Sequence, residues 1–236
     1  MIDAHDHLQD PAFSSDLAAV LGRAEAAGVD RAVCNGTRPE DWPRVLALAR
    51  EYPAVVPCFG LHPWFVAEAP PGWLRTLEGF LDEVPSGVGE AGLDAGRGDA
   101  PAQEKAFRAQ LALSREKKRP LTVHCVRAFG RLLDILREEG PLPAGFLLHG
   151  YGGASEMVAP FAGLGAYFSF TGPRRALAAV PADRLLLETD CPGRKVRGEP
   201  ADIGRILASV ARARGEEESR LAESVRENGR RFLAAL

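Results

Sequence analysis

Five histidines occur in this 236-residue chain, and each follows a short apolar run: His5 and His7 in IDAHDH, His62 in GLHP, His124 in LTVHC and His149 in FLLHG. Two acids share that placement, Glu90 in GVGEAGLD and Asp190 in LLLETDCP. Imidazole nitrogens and carboxylate oxygens together suit a divalent cation, and a mixed shell of this kind leaves room for water. His5 and His7 are two apart, so on a strand both point to one face and can hold one ion. The two oxygens of Glu90 can bridge two cations about 3.5 to 4 Å apart, although an acid between glycines can equally be a solvated loop residue. Asp190 precedes Cys191 and Pro192 and can serve as a turn or cap residue; its place after the run 185–187 favours the site. His62, just before Pro63, can donate to a substrate oxygen or protonate a leaving group, with a structural loop histidine as the alternative. Cys125 and Cys191 adjoin proposed ligands, but neighbouring strand residues point oppositely, so Cys125 is expected to pack outward and neither counts as a ligand.

Something must bring these positions together. Apolar stripes with helical spacing appear at Leu17, Val20, Leu21, Ala24; at Trp42, Val45, Leu46, Ala49; at Phe129, Leu132, Leu133, Leu136; and at Ile203, Ile206, Leu207, Val210. Between them lie β-prone runs without alternation, at 31–34, 55–59, 87–89, 121–124, 146–148, 166–168 and 185–188, as expected for strands buried on both faces. With 2–4 in front, eight strand candidates alternate with helical segments, which predicts a (β/α)8 TIM barrel in the α/β class. The weakest stretches are 168–180, where the helix is short, and the loop 96–101. No repeat or linker divides the chain, so residues 1–236 are expected to form a single domain, with a C-terminal helix at about 219–235 against its outside. In such a barrel, ligands at the C-terminal ends of several strands meet in one place.

Composition limits the rest. A chain that is 46% hydrophobic can bury a large core, and a net charge of -3 gives no global reason to expect a polyanion. Cys34, Cys58, Cys125 and Cys191 are scattered without CxxC pairs, which suggests reduced thiols and a cytoplasmic protein. The first strand is expected to begin at Ile2, so no cleavable leader is expected, and no run approaches the length of a spanning helix. No membrane and no obligate protein partner are expected.

The motifs IDAHDHLQD, GLHPW, GEAGLD, the helix with Gln103 and Phe107, LTVHC, LLHGYGG, LLLETDCP and the terminal Asn228 with Phe232 resemble the TatD-type metal-dependent hydrolases of the amidohydrolase superfamily over nearly the whole chain. That resemblance implies a (β/α)8 barrel with one or two divalent ions. Position by position, it implies that His5, His7, Glu90 and Asp190 serve one metal, that Glu90, His124 and His149 serve the second, and that His62 faces the substrate. The chain departs from the pattern at Asp6 between the metal histidines, where Cys or Thr is more familiar, and at Ala95 after GLD, where Tyr is usual. It departs again at Gly150 and Tyr151 in place of Cys-Phe, and at Glu199 in place of Asn before Pro200.

The chemistry so implied is that of a TatD-like deoxyribonuclease. Water activated by the metal attacks a phosphodiester, Asp190 both ligates and accepts the proton, and Glu90 bridges. Zn, Mn, Mg, Ni, Co or Fe would suit the donors. Arg127 after strand 5, Arg174 and Arg175 after strand 7, and Arg194, Lys195 and Arg197 after strand 8 would meet the phosphates of DNA or a nucleotide, with Trp64, Phe65 and Tyr151 as stacking platforms. The same centre could hydrolyse a small ester, lactone or amide, although Glu90 stands where the ring-amide branches commonly carry a modified lysine. A barrel that binds metal without catalysis is the non-enzymatic alternative.

Overall fold

In the computed structural model, which describes residues 1–193 and 198–236, eight parallel strands lie in one sheet in chain order. They are β1 (Ile2–Asp6), β2 (Arg31–Asn35), β3 (Val55–Phe59), β4 (Gly87–Asp94), β5 (Leu121–Val126), β6 (Phe146–Leu148), β7 (Ala166–Phe170) and β8 (Leu185–Leu187). The sheet curls until β8 meets β1. Asp190 N–H donates to His5 O at 3.0 Å and His7 N–H to Cys191 O at 2.9 Å. The Asp3 carboxylate accepts from Thr189 N–H at 2.9 Å and from Thr189 Oγ1 at 2.5 Å. A nearly closed (β/α)8 barrel results, as the alternation of elements predicts.

The outer layer comprises α1 (Leu17–Ala26), α2 (Trp42–Glu51), α3 (Trp73–Glu83), α4 (Ala100–Lys117), α5 (Phe129–Glu139), α6 (Val158–Gly163), α7 (Ile203–Arg214) and α8 (Glu218–Phe232). Each long helix turns an apolar stripe to the sheet, for example Leu132, Leu133, Ile135 and Leu136 of α5 and Ile203, Ile206, Leu207 and Val210 of α7, all buried. After β7 there is no α-helix, only a 3-10 turn at Arg175–Ala179. Helix α8 packs in this outer layer through Leu221 and Val225, and the C-terminal end of the chain closes the N-terminal end of the barrel. Phe232 packs with Ala4, Leu147, Tyr167 and Leu186, and Leu233 and Leu236 pack against Ile2, Val33, Val56 and Cys58. Asn228 Nδ2 fixes the helix there by donating to Ala182 O and Leu185 O at 2.8 Å each. The opposite end is left to polar residues.

Five strands run past the ends that hydropathy suggests. β1 reaches Asp6, β2 Asn35, β4 Asp94, β5 Val126 and β7 Phe170; in β1 and β4 this is because His5 and Glu90 interrupt the apolar run without interrupting the ladder. In β1, plain alternation from Ile2 and Ala4 would send His5 to the outer face. The register shift between Asp3 and Asp6 returns it to the inner one. β4 also shifts register, between Val88 and Ala91. Beyond that shift Gly92 has φ +151°, and a Cβ there would lie 1.9 Å from His124 O. Only glycine lets β4 press onto β5 at this level, which sets Glu90 beside His124.

Candidate metal centre

The strand ends bring His5, His7, His62, Glu90, His124, His149 and Asp190 together. Glu90 is buried, and its two oxygens divide the set. Oε2 lies 3.5 Å from both His5 Nε2 and His7 Nε2. Oε1 lies 2.9 Å from His124 Nδ1, 2.8 Å from His149 Nε2 and 3.3 Å from His62 Nε2. Asp190, with a half-exposed side chain, approaches the first pair, its Oδ1 being 3.6 Å from His7 Nε2 and 3.8 Å from His5 Nε2. The ligand atoms of His5, His7 and Asp190 fall within 4.8 Å of one another, as do those of His5, Glu90 and His149 and those of His62, Glu90 and His124.

The outward-facing nitrogens indicate what the inward ones can do. His7 Nδ1 donates to Asn35 O at 2.8 Å, which leaves Nε2 with its lone pair toward the centre. His124 Nε2 faces Asp94 Oδ2 at 3.5 Å, and His149 Nδ1 faces Glu188 Oε1 at 3.7 Å. Each carboxylate favours a proton on the outer nitrogen and a lone pair on the inner one. The inner nitrogens then face one another, His5 to His7 at 3.3 Å and His124 to His149 at 3.3 Å, with no partner but carboxylate oxygen. Convergent lone pairs and carboxylates repel unless a cation lies among them, so the donors fit divalent metal ions. His62 differs. Its Nδ1 accepts from Trp64 N–H at 3.1 Å, so a neutral ring carries its proton on Nε2 and donates inward.

The electrostatics agree. Burial alone would raise Glu90, yet the surrounding histidines, His62, His149 and His5 foremost, hold its carboxyl well below the usual range. Burial lowers His5 and His62, so both rings are neutral. For His149, burial also acts downward, but Glu90 and Glu188 outweigh it and the ring is pushed well above the usual value. A field that draws a proton so strongly draws a metal cation equally well.

A cavity of about 780 Å³ opens over these residues. Around its mouth stand Arg38, Trp64, Phe65, Arg97 and Arg127. The Arg97 guanidinium lies 4.2 Å from the Trp64 ring centre and that of Arg38 4.7 Å from Phe65. Trp64 Nε1 also donates to Asp94 Oδ2 at 2.5 Å, which ties this rim to the outer partner of His124.

Six of the seven chemical residues read from the sequence, together with Arg127, reach this cavity; His5 lies fully buried beneath it, against Glu90 and His7. Arg174 does not: the chain after β7 carries it to solvent at the start of the 3-10 turn, away from the lining residues. Arg194, Lys195 and Arg197 lie outside the described residues. Tyr151 is no stacking platform, because its ring is buried against Phe168 and Phe129 at 5.0 and 5.2 Å and its hydroxyl donates to Ala154 O at 2.9 Å. Four participants have no counterpart in the sequence reading: Asp94, Glu188, Arg38 and Arg97. All four stand at or just beyond a strand's C-terminal end, the same signal that marks the ligands.

The chain is similar to known proteins over nearly its whole length. A sequence model of the family described as TatD related DNase matches residues 2–234. The 3'-5' ssDNA/RNA exonuclease TatD of Klebsiella pneumoniae is 34% identical over 240 residues, covering 92% of this chain and 91% of that protein. The uncharacterized metal-dependent hydrolase YabD of Bacillus subtilis is 29% identical, covering 99% of this chain and 98% of its own. The crystal structure of the TatD homolog YJJV from Escherichia coli superposes with a TM-score of 0.91 at 30% identity, over 98% of this chain and 97% of that one.

Proposed function

Since this chain belongs to the TatD related DNase family, we propose that it hydrolyses phosphodiester bonds of single-stranded DNA with one or two divalent metal ions. The observation that carries the proposal is the division of Glu90, one oxygen to His5 and His7 and the other to His124 and His149. His5, His7, Glu90 and Asp190 would hold one ion; Glu90, His124 and His149 would hold the second. When bound, such ions supply a nucleophile from water at neutral pH and offset charge on the phosphoryl oxygens.

The residues divide the remaining work. Asp190 is the one carboxylate of the set with a half-exposed side chain, so it can accept the proton of the attacking water. His62, neutral and protonated on Nε2, donates to a phosphoryl or leaving oxygen. Arg127, Arg38 and Arg97 meet phosphate, and Trp64 and Phe65, backed by Arg97 and Arg38, offer faces on which unpaired bases stack. The donors accommodate Zn, Mn, Fe, Co, Ni or Mg. Among the described residues no helix is long and apolar enough to cross a membrane. The four cysteines are free, and we assign the protein to the cytoplasm.

The test joins elemental analysis of the native protein to an assay on end-labelled single-stranded DNA, with each metal restored after chelation. Metal in the native protein, loss of cleavage on chelation and its return with metal are expected, together with an Asp190→Asn variant that keeps much metal and loses turnover. Chelator-insensitive cleavage, or hydrolysis confined to small esters or amides, overturns the proposal.

A further inference from the structure

A second cavity, of about 900 Å³, lies on the other side of one strand edge from the metal centre. At the ends of β4 and β5, Asp94 pairs with Val126, and Ala95 N–H donates to Val126 O at 2.9 Å. Side chains alternate across this lip. Asp94 lines the first cavity, and its neighbours Leu93 and Ala95 line the second. Arg127, at φ +54°, stands on the lip and lines both.

The second cavity has an apolar floor of Leu93, Ala95, Pro101 and Ala128. Its cations are of two kinds. Arg108 and Arg131 are held by Glu104 at 3.0 and 2.5 Å. Lys105 and Arg127 are exposed and pair with no acid among the described residues. An apolar slot within the size range of small-molecule sites, with two free cations at its edge, complements a flat ring attached to a phosphate.

We propose that this cavity is a nucleobase subsite. It takes the base of a nucleotide next to the phosphodiester held at the metal centre, and Arg127 engages the phosphate where the strand crosses the lip. The proposal rests on the phosphodiesterase reading above and adds where the neighbouring base goes. The small side chain of Ala95 provides the space, so specificity resides partly in a position outside the metal shell.

The test is a scan of short single-stranded oligonucleotides with non-hydrolysable linkages and one abasic site moved along the strand, bound to the metal-loaded protein and read by fluorescence anisotropy. One abasic position is expected to weaken binding to the wild-type protein about tenfold, the loss of one stacked base. In Ala95→Leu, which fills the slot from an exposed position, the penalty at that position should fall to near unity while those at other positions persist. A flat scan, or a penalty that survives Ala95→Leu in protein of unchanged Tm, overturns the subsite. Cleavage of the unmodified strand with metal restored is scored separately. Its absence under every metal removes the phosphodiesterase reading, whereas a flat scan with intact cleavage removes only the subsite.

Discussion

Glu188→Gln isolates the part played by an outer partner. Glu188 is fully buried at the end of β8, its Oε2 accepting from Ser169 Oγ and its Oε1 3.7 Å from His149 Nδ1. Glutamine keeps the volume, and its amide can still bond the Ser169 hydroxyl, so the barrel is expected to fold. What changes is the charge behind the ring. Two unit charges at the observed 3.7 Å would interact by about 4.5 kcal/mol at an effective dielectric constant near 20. The His149 N–H carries only part of a charge, and the glutamine carbonyl retains part of the attraction. The expected loss is therefore about 2 kcal/mol, or roughly thirtyfold in metal affinity, inside the range found for outer partners of metal-bound histidines. Competition against a chromophoric chelator, on protein shown by circular dichroism to be folded, measures it. Affinity within twofold of wild type would refute the claim that Glu188 sets the tautomer of His149.

Two further outcomes concern side chains after β6 and at the rim of the cavity. Tyr151→Phe should cost about 1 kcal/mol in chemical denaturation, through loss of the hydrogen bond to Ala154 O, and leave oligonucleotide affinity unchanged; weakened binding would return the ring to the substrate site. Replacing Arg38 and Arg97 together by Ala should make the dependence of log K on log salt for single-stranded DNA shallower by about 1.4, since each phosphate contact on a single strand contributes about 0.7. An unchanged slope would mean that these arginines serve only to brace Phe65 and Trp64.

The strands 55–59 and 146–148 stand in the structure where the sequence puts them, because a strand buried on both faces is apolar throughout and its ends coincide with the ends of the run. β1 and β4 run beyond their apolar segments for the opposite reason. Their later residues include His5 and Glu90, and a buried histidine or acid looks like the start of a loop to any measure based on hydropathy. The absence of a helix after β7 was visible only as a weak stretch, since the 3-10 turn there is held by neighbours and not by a local repeat.

The same physics explains why the convergence of the proposed metal donors is legible in the sequence and that of their neighbours is not. A donor at the end of a barrel strand has its direction fixed by period-2 alternation and by closure of the sheet, so residue type and place are nearly sufficient. Even so, β1 satisfies alternation only through its register shift, which nothing in IDAHDH announces. Asp94 and Glu188 have the right type and place too, but whether an acid faces the centre or the back of a ring depends on register across the sheet, Asp94 behind His124 of the adjoining β5 and Glu188 behind His149, which follows β6 two strands away. Arg174 and Arg97 are both arginines just beyond a strand. One turns to solvent and the other lies over Trp64, a difference set by the path of each loop. On the proposed reading, metal chemistry in this chain is encoded by strands and substrate contact by loops, and the lip between the two cavities, where β4 and β5 end and Arg127 begins a loop, is where one gives way to the other.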